Sequence, residues 1–467
     1  MEHFDITVIG SGPGGYVAAI RSAQLGYKTA IIEKYDTLGG TCTNVGCIPS
    51  KALLDSTHHF SDALHKFKVQ GIEVGEVQLN FKQMYDRKAD VVLKNTQGLE
   101  FLMKKNNITK LHGTASFINN NQVKILDASG VETQISSDKF IIATGSKPSS
   151  IPGIEIDKKR IITSTEALAL TDQPKEIIII GGGVIGVEMA SIFNRIGTKV
   201  TILEYADYLI ATMDHELGKT LQKILKKEGV EIQLQQSVYK VENQGDSAKV
   251  WFKDKNGTEL TLQADYVLMA VGRRPFTQGL GLENTNVKLT ERGFIQVNEK
   301  LQTEAANIYA IGDVIGGAML AHKAEEEGVF VAETINGQKP HIHYNRIPGV
   351  VYTWPEVASV GATEEELKRD GIAYNVGKFP FSASARARAS MDLDGFAKVL
   401  VDPKYGEVLG AHIIGARAAD LIASAVVAME YEVTAKDMFT MSYAHPTYSE
   451  VVKEAYMLAS GQAAINI

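Results

Sequence analysis

Gly10-Ser11-Gly12-Pro13-Gly14-Gly15 follows a short β-branched run at residues 5–9 and opens a helical pattern over 16–25; a second apolar run, 29–32, then closes on Glu33. Strand, glycine turn, helix, strand and acid, in that order, make the unit that wraps a dinucleotide. The first glycine permits the turn and the second lets the backbone approach a pyrophosphate. The third lets the helix pack on the strand, and the helix N-terminus offers its N–H groups to the anion. The acid accepts hydrogen bonds from ribose hydroxyls. One such signature is weak alone, but the chain repeats it. A run over 176–180 leads into Gly181-Gly182-Gly183-Val184-Ile185-Gly186, a helix over 187–196, and a strand over 199–203 closed by Glu204. Glu33 and Glu204 each stand 23 residues after the first glycine of their copy. Chance would have to reproduce strand, spacing and acid together, so the pattern implies two bound dinucleotides and a relay of electrons between them.

Further strand-like runs lie at 140–143, before Thr144-Gly145-Ser146, and at 266–271, before Gly272-Arg273-Arg274-Pro275. They read as late strands returning to the ligand edge of each sheet, and 307–311 before Gly312-Asp313 has the shape of a strand whose terminal acid faces a ligand. Helical stretches fill 51–67 and 79–106. From about residue 346 the texture changes: strand-like runs at 350–360, 374–379, 395–401 and 408–414 precede helical stretches at 418–430 and 447–458. The expected fold is therefore α/β, with two Rossmann-like dinucleotide-binding domains followed by an α+β domain. The expected boundaries are 1–146, 147–275, a central domain at 276–345 that completes the first site, and 346–467.

The chain has 467 residues, enough for several domains, and is 44% hydrophobic. Its 48 basic and 55 acidic residues give a net charge of -7 without a dense basic run, which argues against nucleic acid as a partner. No apolar run approaches the roughly 20 residues that cross a bilayer, and Met1-Glu2-His3-Phe4-Asp5 enters the first strand without the pattern of a secretory signal. These features fit a cytoplasmic protein, bacterial in the first instance or a mature form in the mitochondrial matrix.

Only two cysteines occur, Cys42 and Cys47, in Gly39-Gly40-Thr41-Cys42-Thr43-Asn44-Val45-Gly46-Cys47-Ile48 shortly after Glu33. A dithiol beside a dinucleotide unit can deliver two electrons, and in a reducing compartment a disulfide there is transient and catalytic rather than structural. Zinc would need four ligands, and no further Cys or His stands at ligand spacing, so no metal site is expected. Thiol exchange needs a base. His445 lies in Ala444-His445-Pro446-Thr447-Tyr448-Ser449-Glu450, where Pro446 stiffens the entry to a helix and Glu450 is spaced to orient the imidazole.

Taken together, the glycine turns, Gly39-Gly40-Thr41-Cys42 through Cys47-Ile48-Pro49-Ser50-Lys51, Ala143-Thr144-Gly145, Gly183 through Glu188, Val271 through Pro275, Ile311-Gly312-Asp313 and His445-Pro446-Thr447 resemble the flavoprotein pyridine nucleotide-disulfide oxidoreductases from end to end. The resemblance implies FAD in the first unit, with Gly10, Gly12, Gly14, Gly15, Thr144 and Gly145 around it, Glu33 on the adenosine ribose and Asp313 on the ribityl and phosphate portion. It implies NAD in the second, with Gly181, Gly183, Gly186, Glu204, Gly272 and Arg273 among the cofactor-binding residues. Lys51 and Glu188 would form an ion pair near the reactive flavin nitrogen. Cys42 would be the interchange thiol and Cys47 the sulfur against the flavin. His445, oriented by Glu450, would act from the other subunit of a homodimer built through the α+β domain. The implied activity oxidises dihydrolipoamide carried on the lipoyl domains of 2-oxoacid dehydrogenase or glycine cleavage complexes and reduces NAD+.

A carboxylate at Glu204 repels the extra phosphate of NADP, and Tyr205, Ala206 and Asp207 follow it with no arginine. That separates the chain from the glutathione reductases, which use basic residues there; another disulfide reductase of the family is the alternative. Two positions depart from the usual pattern: Thr43 replaces leucine between the cysteines, and Tyr443 replaces a histidine two residues before His445.

Overall fold

The computed structural model describes residues 1–466. The chain forms two compact units, one from residues 1–52, 83–149 and 272–342, the other from 53–82, 150–271 and the chain from His343 onward. It is mixed α/β as expected.

In the first unit, strands Thr109–His112, Thr29–Glu33, Glu2–Ile9 and Glu132–Ile142 run parallel in that order, and Ile308–Ala310 adds parallel to the last. Ile6, Val8, Ala30 and Ile31 are fully buried, the continuous apolar character that a parallel sheet covered on both faces requires. Expectation placed only residues 140–143 in the long strand. Its first half is instead the partner of an antiparallel pair, Gln122–Leu126 and Thr114–Asn119. Helix Pro13–Gln24 starts with proline in its first turn, where the missing N–H costs nothing. It packs against Ala321–Ile335 so closely that a Cβ on Gly328 would lie 2.7 Å from the Gly14 carbonyl oxygen.

The second unit holds the other parallel sheet, ordered Glu231–Gln233, Lys199–Leu203, Glu176–Ile180, Tyr266–Met269 and Ile161–Ile162. Beside it in sequence stands a three-stranded antiparallel sheet, Ser237–Asn243, Ala248–Lys253 and Glu259–Ala264. The C-terminal part is an antiparallel sheet in the order Gly349–Val351, Glu356–Gly361, Val408–Gly415, Phe396–Val401 and Asn375–Pro380. Helices Ala418–Glu430 and Ser449–Ala459 cover it and bury Ile422, Val451 and Tyr456. The single strand expected over 350–360 is two, Gly349–Val351 and Glu356–Gly361, with residues 352–355 turning the chain between them.

Lys398 is 1% exposed and would be ruinous unpaired. Its ammonium donates to Asp214 at 2.8 Å and to Glu364 at 2.9 Å. Asp214 also caps helix His215–Lys227 by accepting the Glu216 N–H. Burial pushes Glu364 up, but hydrogen bonds from Lys368, Lys398 and Tyr374 override it and hold its carboxyl at about 2. A depressed carboxylate contributes stability that is complete above the ordinary carboxylate range and fades as pH falls through the folded value. Thermal unfolding midpoints are therefore expected to stay level from neutral pH to about 5 and to drop progressively from there toward pH 2. Lys398→Met, which strands Asp214, should cost about 3–5 kcal/mol in denaturant unfolding at pH 7.

Candidate active site

The first glycine turn is built as its sequence demands. Gly10 adopts φ 100°, and a Cβ there would lie 2.5 Å from the Ala143 carbonyl oxygen. A Cβ on Gly15 would land on the Gly10 carbonyl oxygen itself. Gly12 differs: as the N-cap of Pro13–Gln24 it has no side-chain cap, and a Cβ there would meet no protein atom within 4 Å. Protein packing does not require that glycine, whereas a pyrophosphate laid against the helix N-terminus does. Glu33, 6% exposed, accepts the Ser11 N–H at 3.0 Å and the Ser11 hydroxyl at 2.6 Å on Oε2, and the Tyr35 N–H at 3.0 Å on Oε1. The carboxylate is thus held at the strand end beside the turn, with capacity left for a ribose.

The second copy repeats these relations. Gly181 stands at φ 108° against the Ala270 carbonyl, a Cβ on Gly186 would land on the Gly181 carbonyl oxygen, and Gly183 faces open space at the N-cap of Val184–Arg195. Glu204 accepts the Gly182 N–H on Oε2 and the Ala206 N–H at 2.6 Å on Oε1. Both turns therefore fit dinucleotides on the same structural ground. Glu188, 3% exposed, accepts the Tyr352 N–H at 2.9 Å.

Asp313 sits in the turn Gly312–Ile315 and accepts the Ser146 hydroxyl. Arg273 donates to Ser146 Oγ at 2.7 Å and to its carbonyl at 2.9 Å, and lies 3.8 Å from Asp313. Burial pushes the Arg273 guanidinium down against the pull of Asp313 and of Cys47. Thr144 donates to the Phe276 carbonyl at 2.6 Å, and Gly145 and Gly272 take left-handed conformations at the two ends of this small assembly. Beneath it lies a buried ion pair the sequence reading passed over. Lys323 and Glu327 are 2.9 Å apart; Glu327 accepts the Gly312 N–H at 2.7 Å, and Lys323 donates to the Gly316 carbonyl at 2.9 Å. Ser11 and Ser146 were likewise not singled out; each adjoins a quoted glycine, which is the signal that could have found them.

The cysteines of this glycine-rich stretch stand on helices. Cys42 lies in Gly40–Val45, Gly46 breaks the helix, and Cys47 begins Cys47–His65, with Pro49 inside the first turn. A Cβ on Gly46 would lie 2.8 Å from the Thr41 carbonyl oxygen, so the break that brings the sulfurs together needs glycine. Cys42 is half-buried and Cys47 exposed. A hydrogen bond with Cys47, then burial, then the charge of Cys47 push the Cys42 thiol well above its usual range; Lys51, one turn past Cys47, pulls the other way. Glu325 also raises it, and accepts the Tyr16 hydroxyl at 3.0 Å. Thr43 is buried and packs under Gly39.

In the second unit, His445 Nδ1 meets Glu450 Oε1 at 2.8 Å while the imidazole is 72% exposed. The Thr447 N–H donates to Glu450 Oε2 at 2.8 Å. Burial pushes Glu450 up, but the Thr447 and His445 hydrogen bonds prevail and hold its carboxyl below the usual range. With Nδ1 so engaged, Nε2 is the nitrogen left to exchange a proton. Tyr443 donates to the Met438 carbonyl at 3.1 Å. No helix among the described residues is long and apolar enough to cross a membrane.

Comparison with known proteins is consistent along the whole chain. Residues 4–328 match the family model described as pyridine nucleotide-disulphide oxidoreductase, and residues 347–456 match that family's dimerisation domain. The mitochondrial dihydrolipoyl dehydrogenase of Pisum sativum is 46% identical over 97% of this chain and 91% of its own. The dihydrolipoyl dehydrogenase of Trypanosoma brucei brucei is 47% identical over 97% and 96%. Among solved structures, the HOCl-induced flavoprotein disulfide reductase RclA from Escherichia coli superposes with a TM-score of 0.86 at 29% identity, covering 97% of this chain and 99% of that one.

The two kinds of glycine separate experimentally. Gly186→Ala, whose methyl has no room, should lower the unfolding midpoint. Gly183→Ala should leave it unchanged yet weaken pyridine nucleotide binding about tenfold or more, measured by titration of the pure protein.

Proposed function

This chain belongs to the pyridine nucleotide-disulphide oxidoreductases, and we propose that it is a dihydrolipoamide dehydrogenase, working as a homodimer that oxidises dihydrolipoamide to lipoamide and reduces NAD+ to NADH. The observation that carries the reading is the hydrogen-bonded Cys42–Cys47 pair in the same compact unit as the Gly10–Gly15 turn. Gly10, Gly12, Gly14, Gly15, Ser11, Glu33, Thr144, Gly145 and Asp313 would hold FAD, with Lys51 and Glu188 near its reactive nitrogen; Gly181, Gly183, Gly186, Glu204, Gly272 and Arg273 would hold NAD. These groups supply the two-electron acceptors that side chains lack. The lipoyl domains of 2-oxoacid dehydrogenase or glycine cleavage complexes present the dithiol.

The protein's own residues manage sulfur and protons. His445, its Nδ1 fixed by Glu450, takes a proton from the substrate dithiol at Nε2 and acts on the sulfur pair of the partner subunit. The resulting thiolate attacks Cys42 of the oxidised pair. The bond between Cys42 and Cys47 breaks as the mixed disulfide forms, and its electron pair leaves on Cys47. The second substrate sulfur, once deprotonated, displaces Cys42 and closes the lipoamide disulfide, so the enzyme pair has gained two electrons. The raised Cys42 thiol supports this asymmetry: in the reduced pair the proton stays on Cys42 while Cys47 carries the charge. Glu204 supports NAD over NADP, since a carboxylate held at the strand end by the Gly182 and Ala206 N–H groups would repel an added ribose phosphate.

His445→Gln should lower dihydrolipoamide turnover by about 10²–10⁴, and Cys42→Ser should abolish it, with FAD still bound in both. A chain that reduces glutathione disulfide with NADPH and leaves dihydrolipoamide untouched would refute the assignment. Glu204→Ala should narrow the preference for NAD over NADP by about tenfold or more in kcat/KM ratios.

A further inference from the structure

The His445 imidazole is 72% exposed, so packing on the ring itself does not set its place. The turn beneath it does, and that turn has an anchor. Tyr448, 7% exposed, is the N-cap of Ser449–Ala459 and adjoins Thr447, whose N–H holds Glu450. The Tyr448 hydroxyl donates to Asp392 Oδ2 at 2.8 Å. Asp392 follows the short helix Ala385–Ser390, where Met391 turns the chain through φ 61°, and its own N–H returns to the Ala387 carbonyl at 2.9 Å. Its carboxylate is 12% exposed and takes two further donors on Oδ1, Lys66 Nζ at 3.1 Å and Trp354 Nε1 at 3.3 Å.

Three donors, one just past a helix end, one from a strand connection and one from a helix cap, thus converge on one carboxylate. Lys66 also pairs with Asp62, which in turn meets His58, and the His58 ring lies 4.3 Å from that of Trp354. On the far side of Tyr448, Arg386 stands 5.7 Å from the ring centroid and the Phe381 ring 6.1 Å. The tyrosine is therefore gripped at ring and hydroxyl, while the imidazole it supports stays open to substrate.

We propose that Asp392 is a positioning residue for the dithiol reaction, fixing through Tyr448 the turn on which His445 and Glu450 sit. This rests on the reading of His445 as the base. Loss of the Asp392 contact leaves the Tyr448 hydroxyl with Ser390 alone and loosens the turn, and a displacement of about 1 Å in a reacting group can cost on the order of 10²-fold in rate.

The test uses the FAD-loaded dimer with Tyr448→Phe, which removes one hydroxyl, and Asp392→Asn, which keeps the shape. Each is assayed with dihydrolipoamide and NAD+ across pH, and separately for NADH-driven reduction of ferricyanide, which needs no thiol base. Both variants should lose about tenfold or more in dihydrolipoamide kcat/KM, with a shift in the pH limb that His445→Gln abolishes. Ferricyanide reduction should fall less than about twofold. Wild-type dithiol turnover and pH profile in both variants, or equal loss of the two activities, would overturn the positioning role. If His445→Gln itself kept full turnover, the base assignment and this inference would fall together. If His445→Gln were inactive while Tyr448→Phe and Asp392→Asn behaved as wild type, only this inference would fall.

Discussion

Helix and strand approach so closely at Gly15 and at Gly186 that no side chain fits between them and the carbonyls of Gly10 and Gly181. The rest of each nucleotide unit depends on that contact. It sets the helix N-terminus over the strand ends, where its unpaired N–H groups face outward. It also puts the next strand's terminal carboxylate, Glu33 or Glu204, within reach of the turn's own N–H groups, so the same two hydrogen bonds recur in both copies. Each acid is pre-oriented by backbone donors before any ribose arrives. The middle glycine alone is not demanded by the protein.

From that frame the sulfur pair acquires its setting. The chain leaves Glu33, makes a short helix, breaks at Gly46 and begins a long one at Cys47, so the two sulfurs meet across a helix break. Lys51 and Glu325 act on the pair with opposite sign, and the hydrogen bond within the pair makes its members unequal. The proposed base, His445, follows the opposite strategy. Its ring is open to solvent, and its order comes from Glu450, Thr447 and Tyr448 beneath it. A sulfur pair with Cys42 half-buried and Cys47 exposed, and an exposed, well-supported imidazole, leave both groups open to a dithiol.

Both nucleotide turns were legible in the sequence because steric demands on glycine leave a spaced, local trace, and the terminal acids confirmed it at matched distance. The same holds for the late strand ends at Thr144-Gly145 and Gly272-Arg273. Elements without such a trace were lost. Strands Ser237–Asn243 and Glu259–Ala264 bury few side chains, so their polar faces masked them. Helix Ala321–Ile335 carries Glu325, Glu326 and Glu327 in succession, a run that reads as solvated surface, yet Glu327 is fully buried against Lys323. The helical setting of the cysteines was hidden by Gly39, Gly40 and Gly46, which suggest a loop when local spacing is all that can be read. Asp392 could not be found from sequence at all, since its partners lie 38, 56 and 326 residues away.

With only two cysteines in the chain, the central claim reduces to a count of thiols. The oxidised, FAD-loaded dimer is mixed under nitrogen with one equivalent of dihydrolipoamide per chain, without NAD+, alkylated, and weighed by mass spectrometry. No alkyl groups are expected before the addition and two per chain afterwards, on Cys42 and Cys47, reversed when NAD+ is supplied first. NADH formation from dihydrolipoamide by a chain whose two cysteines were already blocked would contradict that claim.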